Sequence, residues 1–258
     1  MLTLTTVQVA WALASGGAVG FALALVGGGG SILAVPALLY LVGLADTHLA
    51  IGTSALAVSV NAFANLAMHA RRQSVKWRCA AVYAVSGILG AAAGSTLGKL
   101  VDGRQLLLYF AVAMVAVGIA MLRPRAAGGD PDVQLNIRIL PKLAILGLLT
   151  GLASGFFGIG GGFLVVPGLM AGSGMPMLNA VAASLLSVGS FGLTTATNYA
   201  LSGQVHWIAA GWFIGGGLIG GFAGLRLAQR AAQRKGLLNR IFAGLIFAVA
   251  GYIVWRSL

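Results

Sequence analysis

Apolar residues in this chain fall in long runs separated by short polar segments, and the runs form two matching sets. The first set covers roughly 8–26, 31–44, 48–69, 79–98 and 105–122. The second covers roughly 142–157, 162–175, 178–200, 207–225 and 238–255. Most approach the ~20 residues with which an α-helix crosses a bilayer. A helical reading therefore fits throughout. The segment 123–141 between the sets holds Pro124, Gly128, Gly129, Asp130 and Pro131, which are breaker and turn residues.

Two glycine-rich stretches interrupt the pattern at equivalent places. One runs Gly27-Gly28-Gly29-Gly30-Ser31-Ile32-Leu33-Ala34-Val35-Pro36, the other Gly158-Ile159-Gly160-Gly161-Gly162-Phe163-Leu164-Val165-Val166-Pro167. Each interior Gly costs a helix about 1 kcal/mol relative to Ala. Both stretches therefore predict a break after the first helix of each set. Backbone groups left unpaired in lipid are costly, so a broken helix persists only inside protein or beside a water-filled cavity. In transporters such breaks are where ligands bind.

The halves align residue by residue. Pro36 matches Pro167, an offset of 167 − 36 = 131; after a one-residue slip Ser54 matches Ser184, 184 − 54 = 130. Val75-Lys76-Trp77 then matches Val205-His206-Trp207, and Gly87, Gly90 and Gly94 match Gly217, Gly220 and Gly224. An offset held this long marks an internal duplication.

Composition fits a membrane protein. Of 258 residues, 59% are hydrophobic and 8% charged, with a mean hydropathy of +0.97; about a quarter of a soluble chain is charged. Residues 1–45 and 143–225 contain no Asp, Glu, Lys or Arg. The net charge of +12 would suggest nucleic acid in a soluble protein. Here the basic residues sit in short loops, as cytoplasmic loops of membrane proteins do, and no nucleic-acid partner is expected. The Ala-rich N-terminus could pass for a signal peptide, but it lacks a positive leading region and the duplication requires it as a span. Cys79 is the sole cysteine and is expected as a small core residue.

Charge also orients the halves. Loop 70–78 carries Arg71, Arg72, Lys76 and Arg78, whereas its counterpart 201–206 carries only His206. The next pair is reversed: 99–104 has Lys99 and Arg104 offset by Asp102, while 226–240 has Arg226, Arg230, Arg234, Lys235 and Arg240. Matched loops then lie on opposite sides, so each repeat crosses an odd number of times. The expected fold is an all-α polytopic membrane protein of about ten transmembrane helices, in two inverted five-helix repeats. The single domain 1–258 would comprise repeats 1–122 and 142–258, joined by a cytoplasmic linker 123–141. Both termini would lie outside.

The pattern Gly-x-Gly-Gly-Gly-x-x-x-Val-Pro, early in each of two membrane repeats, resembles the TauE/SafE sulfite exporter family. The second copy, Gly158 to Pro167, fits fully; the first has Ser31 where the second has Gly162. The resemblance spans nearly the whole chain. It implies export of small sulfur-containing anions, sulfite or an organosulfonate, across a bacterial inner membrane. Alternatives are a permease for another small anion, such as thiosulfate or a carboxylate, or a non-transporting membrane enzyme or scaffold.

Physical chemistry reaches an anion site independently. A helix starting after a Gly break presents unpaired N–H groups and the positive end of its dipole. Ser31 could cap such an end. Hydroxyls and amides on the third span of each repeat can donate to an oxyanion without burying a charge. The candidate substrate-binding residues are Gly28, Gly29, Gly30, Ser31, Ser54, Asn61, Gly160, Gly161, Gly162, Ser184 and Thr194. Other glycines, Gly90/Gly94/Gly98 and Gly216/Gly220/Gly224, run at small-xxx-small spacing and are expected to pack helices. Trp77 and Trp207 are expected as interface anchors.

No catalytic or metal site is expected. His48, His69 and His206 lack metal-ligand spacing, and no nucleophile stands with a base. There is no phosphate-binding Gly-x-x-x-x-Gly-Lys run, so no cofactor is expected. The partners expected are a small anionic substrate and the lipid bilayer, with a homodimer left open.

Overall fold

The computed structural model describes residues 4–70, 75–122, 133, 135–158, 162–232 and 251. Their regular structure is helical: α1 Thr6–Val26, α2 Ala34–Tyr40, α3 Thr47–Ala70, α4 Trp77–Gly98, α5 Gly103–Leu122, α6 Ile139–Phe157, α7 Gly162–Ser173, α8 Met177–Leu201 and α9 Trp207–Ala232. Among the described residues six helices are long and apolar enough to cross a membrane, namely α1, α3, α4, α6, α8 and α9. Large apolar side chains such as Val85, Leu89, Ile145, Leu149 and Ile219 point outward. In water they would form costly patches; in lipid they are the solvent-facing surface. Trp77 and Trp207 are 51% and 65% exposed at the first turns of α4 and α9, as interface anchors would be.

Helix starts have identifiable caps. Thr5 and Gln8 form a capping box on α1. Asp46 Oδ1 accepts from the N–H of His48 and Leu49, and Asp102 Oδ1 from that of Arg104. Asn136 Oδ1 accepts from Arg138 and Ile139 at the start of α6. The imidazole Nδ1 of His206 accepts from Ala209 N on α9. Asp46 and Asp102 thus cap the starts of α3 and α5.

The chain reverses after α1 and again after α6. Gly27 (φ 67°) ends α1 and Gly158 (φ 68°) ends α6, both in a conformation that disfavours a side chain. These are matched positions, 158 − 27 = 131. The next left-handed glycines, Gly43 (φ 81°) and Gly174 (φ 76°), keep the same offset, 174 − 43 = 131. After the first reversal Gly30 packs on the backbone of Ala22 and Leu23, and Gly43 comes back beside Gln8. After the second, Gly168 lies on Thr150 and Gly172 on Leu143 and Leu146. Each glycine stretch is therefore at the tip of a helical hairpin.

The two hairpins enter from opposite ends. α1 runs parallel to α9, with Leu13 against Gly216, Gly17 against Gly220 and Phe21 against Gly224. α6 runs parallel to α4, with Leu148 against Gly90, Leu152 against Gly94 and Phe156 against Gly98. Lys99 Nζ, just past α4, donates to Ser202 Oγ just past α8, 2.9 Å away. The end of α4 therefore adjoins the start of α9, which is where α1 begins. α6 begins at the other end, beside the start of α4. At all six named α4 and α9 glycines a Cβ would overlap a backbone carbonyl, so the small-residue spacing does pack helices.

Between the hairpins α3 and α8 cross antiparallel. Ser59 Oγ donates to Gly189 O at 2.6 Å. Gly189 is the duplication partner of Ser59, 189 − 59 = 130, so the crossing joins matched positions. Both helices are deeply buried, with Ala50, Val58, Ala62, Ala180, Leu185 and Val188 all at 0% exposure. The expected tenth run, 238–255, and linker residues 123–132 lie outside the described residues except Gly251.

Candidate functional site

The two hairpin tips touch. A Cβ at Gly28 would overlap the Cα and carbonyl of Gly162, and one at Gly162 would overlap the backbone of Gly28. Glycine is required on both sides because the backbones themselves are in contact. Ser184 of α8 joins this meeting point: Gly28 N donates to Ser184 Oγ at 3.1 Å, and Ser184 Oγ donates to Val181 O at 2.8 Å. The site is fully internal, with Ser31, Ser54 and Ser184 each at 0% exposure.

The first tip is not an open gap. Gly27–Leu33 winds as a 3-10 helix that runs into α2. Glycines tolerate that tighter winding, and it pairs carbonyls that a gap would strand. Ser31 therefore does not cap α2 as expected; its hydroxyl donates to Gly28 O at 2.8 Å, and the N-cap position Leu33 has no side-chain cap. Gly29 and Gly30 belong to the same 3-10 segment. At the second tip, Gly160 and Gly161 lie outside the described residues, while Gly162 begins α7.

The remaining candidates divide. Ser54 lies on α3 near the tip of the second hairpin: its hydroxyl donates to Ile51 O at 2.9 Å, and Ile51 packs directly on Gly158. Thr194 is only partly buried and donates to Ser190 O at 2.9 Å, with no contact bringing it to the tips. Asn61 faces α9, where the backbone of Gly217 packs on its carboxamide. It is 0% exposed, and neither its Nδ2 nor its Oδ1 has a hydrogen-bond partner. An unpaired buried polar group of this kind costs about 1–3 kcal/mol.

Further polar groups on the third span of each repeat gain their setting from the fold. Asn65, one turn beyond Asn61, packs on Gly221 of α9; its Nδ2 donates to Asn61 O at 2.9 Å and its Oδ1 is unpartnered. Ser187 Oγ and Thr195 Oγ1 of α8 are likewise buried and unpartnered. Lys99 Nζ donates to Asn198 Oδ1 at 2.7 Å, and Asn198 Nδ2 donates to Ser95 Oγ at 2.7 Å and Thr96 Oγ1 at 3.0 Å. That cluster ties the ends of α4 and α8. Asn65 and Asn198 were visible as polar residues within apolar runs, but nothing in the sequence pairs them with Gly221 or Lys99.

The described interior lacks carboxylate, lysine and arginine side chains. Among the described residues, the buried polar side chains are Ser, Thr, Asn and His, with no Asp, Glu, Lys or Arg. The tips thus offer backbone amides and hydroxyls without a fixed charge. Two surface clefts lie elsewhere, one beside Lys76, Trp77 and Val133, the other beside Tyr40, Thr47 and Arg104.

Comparison with known proteins places the chain among membrane transporters. A probable membrane transporter protein of Xylella fastidiosa (strain Temecula1 / ATCC 700964) is 54% identical over 246 residues, covering 95% of this chain and 94% of that one. The probable membrane transporter protein YunE of Bacillus subtilis (strain 168) is 25% identical over 237 residues, covering 82% and 85%. No solved structure matches the chain significantly. The family model described as Sulfite exporter TauE/SafE matches residues 12–253. This chain is a multi-pass membrane transporter protein and belongs to the TauE/SafE sulfite exporter family.

Proposed function

We infer that the protein exports a small sulfur-containing anion, sulfite or an organosulfonate, through a site between the two hairpin tips. The observation that carries this reading is the meeting of Gly28, Gly162 and Ser184 deep inside the bundle, with hairpins arriving from opposite ends. Backbone N–H groups released at such tips can hold an oxyanion without a buried cation. The family membership supports the sulfur chemistry. The reciprocal seams α1–α9 and α4–α6 support two inverted five-helix repeats, 1–122 and 142–258, in one domain. At the described residues of the tips, Gly28 and Gly162 meet backbone to backbone. Binding requires the tips to part.

Export needs no coupling proton in this reading. Asp46 and Asp102 are occupied as helix caps, so neither is placed as a mid-membrane proton carrier. With the cytoplasm negative, each exported charge gains about 2.3 kcal/mol per 100 mV. Vesicles reconstituted with the protein and loaded separately with sulfite, taurine, thiosulfate or lactate test the proposal. Sulfite or taurine should leave faster than from protein-free vesicles, and the rate should follow an imposed potential at zero pH gradient. Flux of lactate alone, or of nothing, overturns the assignment; flux that requires a pH gradient overturns the driving force.

A further inference from the structure

The two halves are matched in backbone but not in the side chains that flank the α3–α8 crossing. On α3 the stripe toward Ala70 reads Asn61, Asn65, His69; the matched stripe on α8 reads Phe191, Thr195, Tyr199, each 130 residues on. The surroundings follow suit. Phe191 lies over Gly87 of α4, and its ring stacks on Tyr83 with centroids 6.5 Å apart. Asn61 lies over Gly217 of α9, the counterpart of Gly87. One seam is filled by aromatic rings. The other holds two carboxamides, which a Cβ on the glycines beneath them would meet.

A carboxamide that merely braced two helices would spend its polar atoms on them. Asn61 spends none, and Asn65 leaves its Oδ1 unpartnered, although they are 0% and 1% exposed. We propose that the Asn61–Asn65 pair, on the α3–α9 seam beside the α3–α8 crossing, recognises the substrate and takes a singly charged oxyanion headgroup such as a sulfonate or hydrogen sulfite. This rests on the anion-export reading above. Asn61 Nδ2 donates to an oxygen of the headgroup. Oδ1 accepts from a protonated oxygen where the ion carries one. The seam has no buried Lys or Arg among the described residues, and a doubly charged ion would be stripped of water there without a permanent counter-charge. The aromatic seam on the other side gives the pathway its asymmetry, since carboxamides stand on the α9 side only, where the matched α8 stripe has Phe191, Thr195 and Tyr199.

Two arms test this. In reconstituted vesicles the wild type should pass sulfite and methanesulfonate but not sulfate, which has the same tetrahedral shape with two charges. Asn61→Leu should raise the concentration giving half-maximal flux by roughly 10-fold or more, as loss of a hydrogen bond to an ion does. The second arm is thermal unfolding of the purified variant. Replacing an unsatisfied buried carboxamide by an apolar group of similar size should raise the melting temperature, whereas removing a structural brace should lower it. Ligand should stabilise the wild type and not Asn61→Leu. Unchanged flux in Asn61→Leu, a lowered melting temperature, or sulfate moving as fast as methanesulfonate overturns the proposal and leaves anion export standing. Wild-type vesicles that pass none of the three ions overturn both.

Discussion

Gly28 has no room for a side chain, and that single fact links the residue to the function. Its amide is held by Ser184 and its α-carbon rests on the facing tip. Gly28→Ala should push the tips apart, since besides a Val188 methyl the atoms in the way are the backbone of Gly162, which cannot rotate aside. We expect it to lower thermal stability more than Ser184→Ala, which leaves Gly28 N–H unpaired at a cost of about 1–3 kcal/mol. Thermal unfolding in detergent measures both; equal melting temperatures for Gly28→Ala and wild type would mean the tips are not in contact. Much at this scale was legible. The glycine stretches and the matched serines stood out because glycine and hydroxyls are conspicuous in apolar runs. What Ser31 does was not legible, because N-cap chemistry presumes an α-helix starting there. The 3-10 winding instead turns its hydroxyl back to Gly28 O. The roles of Asp46 and Asp102 as caps follow from their places before α3 and α5.

Elements are held together by glycine seams rather than by amphipathic faces. α1 and α6 are apolar around their whole circumference, which periodicity cannot resolve into a buried and an outer side. Glycine spacing resolves it instead. Along α9 the prediction divides by position: Gly220 meets the carbonyl of Gly17, whereas nothing lies within 4 Å of a Cβ at Gly211. Gly220→Ala should destabilise by about 1–3 kcal/mol through overpacking. Gly211→Ala should be neutral or stabilise by up to about 1 kcal/mol, since alanine holds a helix better. A thermal-unfolding comparison in which both variants shift alike would contradict the seam. The existence of nine of the expected helical runs was legible from hydropathy. The split of 31–44 into a 3-10 segment and a seven-residue α2 was not, because glycine propensity signals a break without specifying how the chain fills it.

At the scale of the molecule, the repeat and the loop charges give a topology that the contacts make testable. α4 is one uninterrupted helix from Trp77 to Gly98, so the segment before it and Lys99 after it lie at opposite ends. Lys99 donates to Asn198 Oδ1 and Ser202 Oγ, which brings the loop after α8 to the Lys99 end. Ser74, in the sequence between α3 and α4, and Ser202 should therefore be on opposite faces of the membrane. Yet the segments they occupy are matched, since Val75-Lys76-Trp77 aligns with Val205-His206-Trp207. Matched segments on opposite faces require inverted halves. The four basic residues Arg71, Arg72, Lys76 and Arg78 predict a cytoplasmic Ser74 loop. Single cysteines in a Cys79→Ala background read this out with a membrane-impermeant maleimide. Ser202→Cys should label in intact cells, and Ser74→Cys only after permeabilisation. If both label in intact cells, or neither does, the halves are not inverted, and the seams α1–α9 and α4–α6 need another explanation.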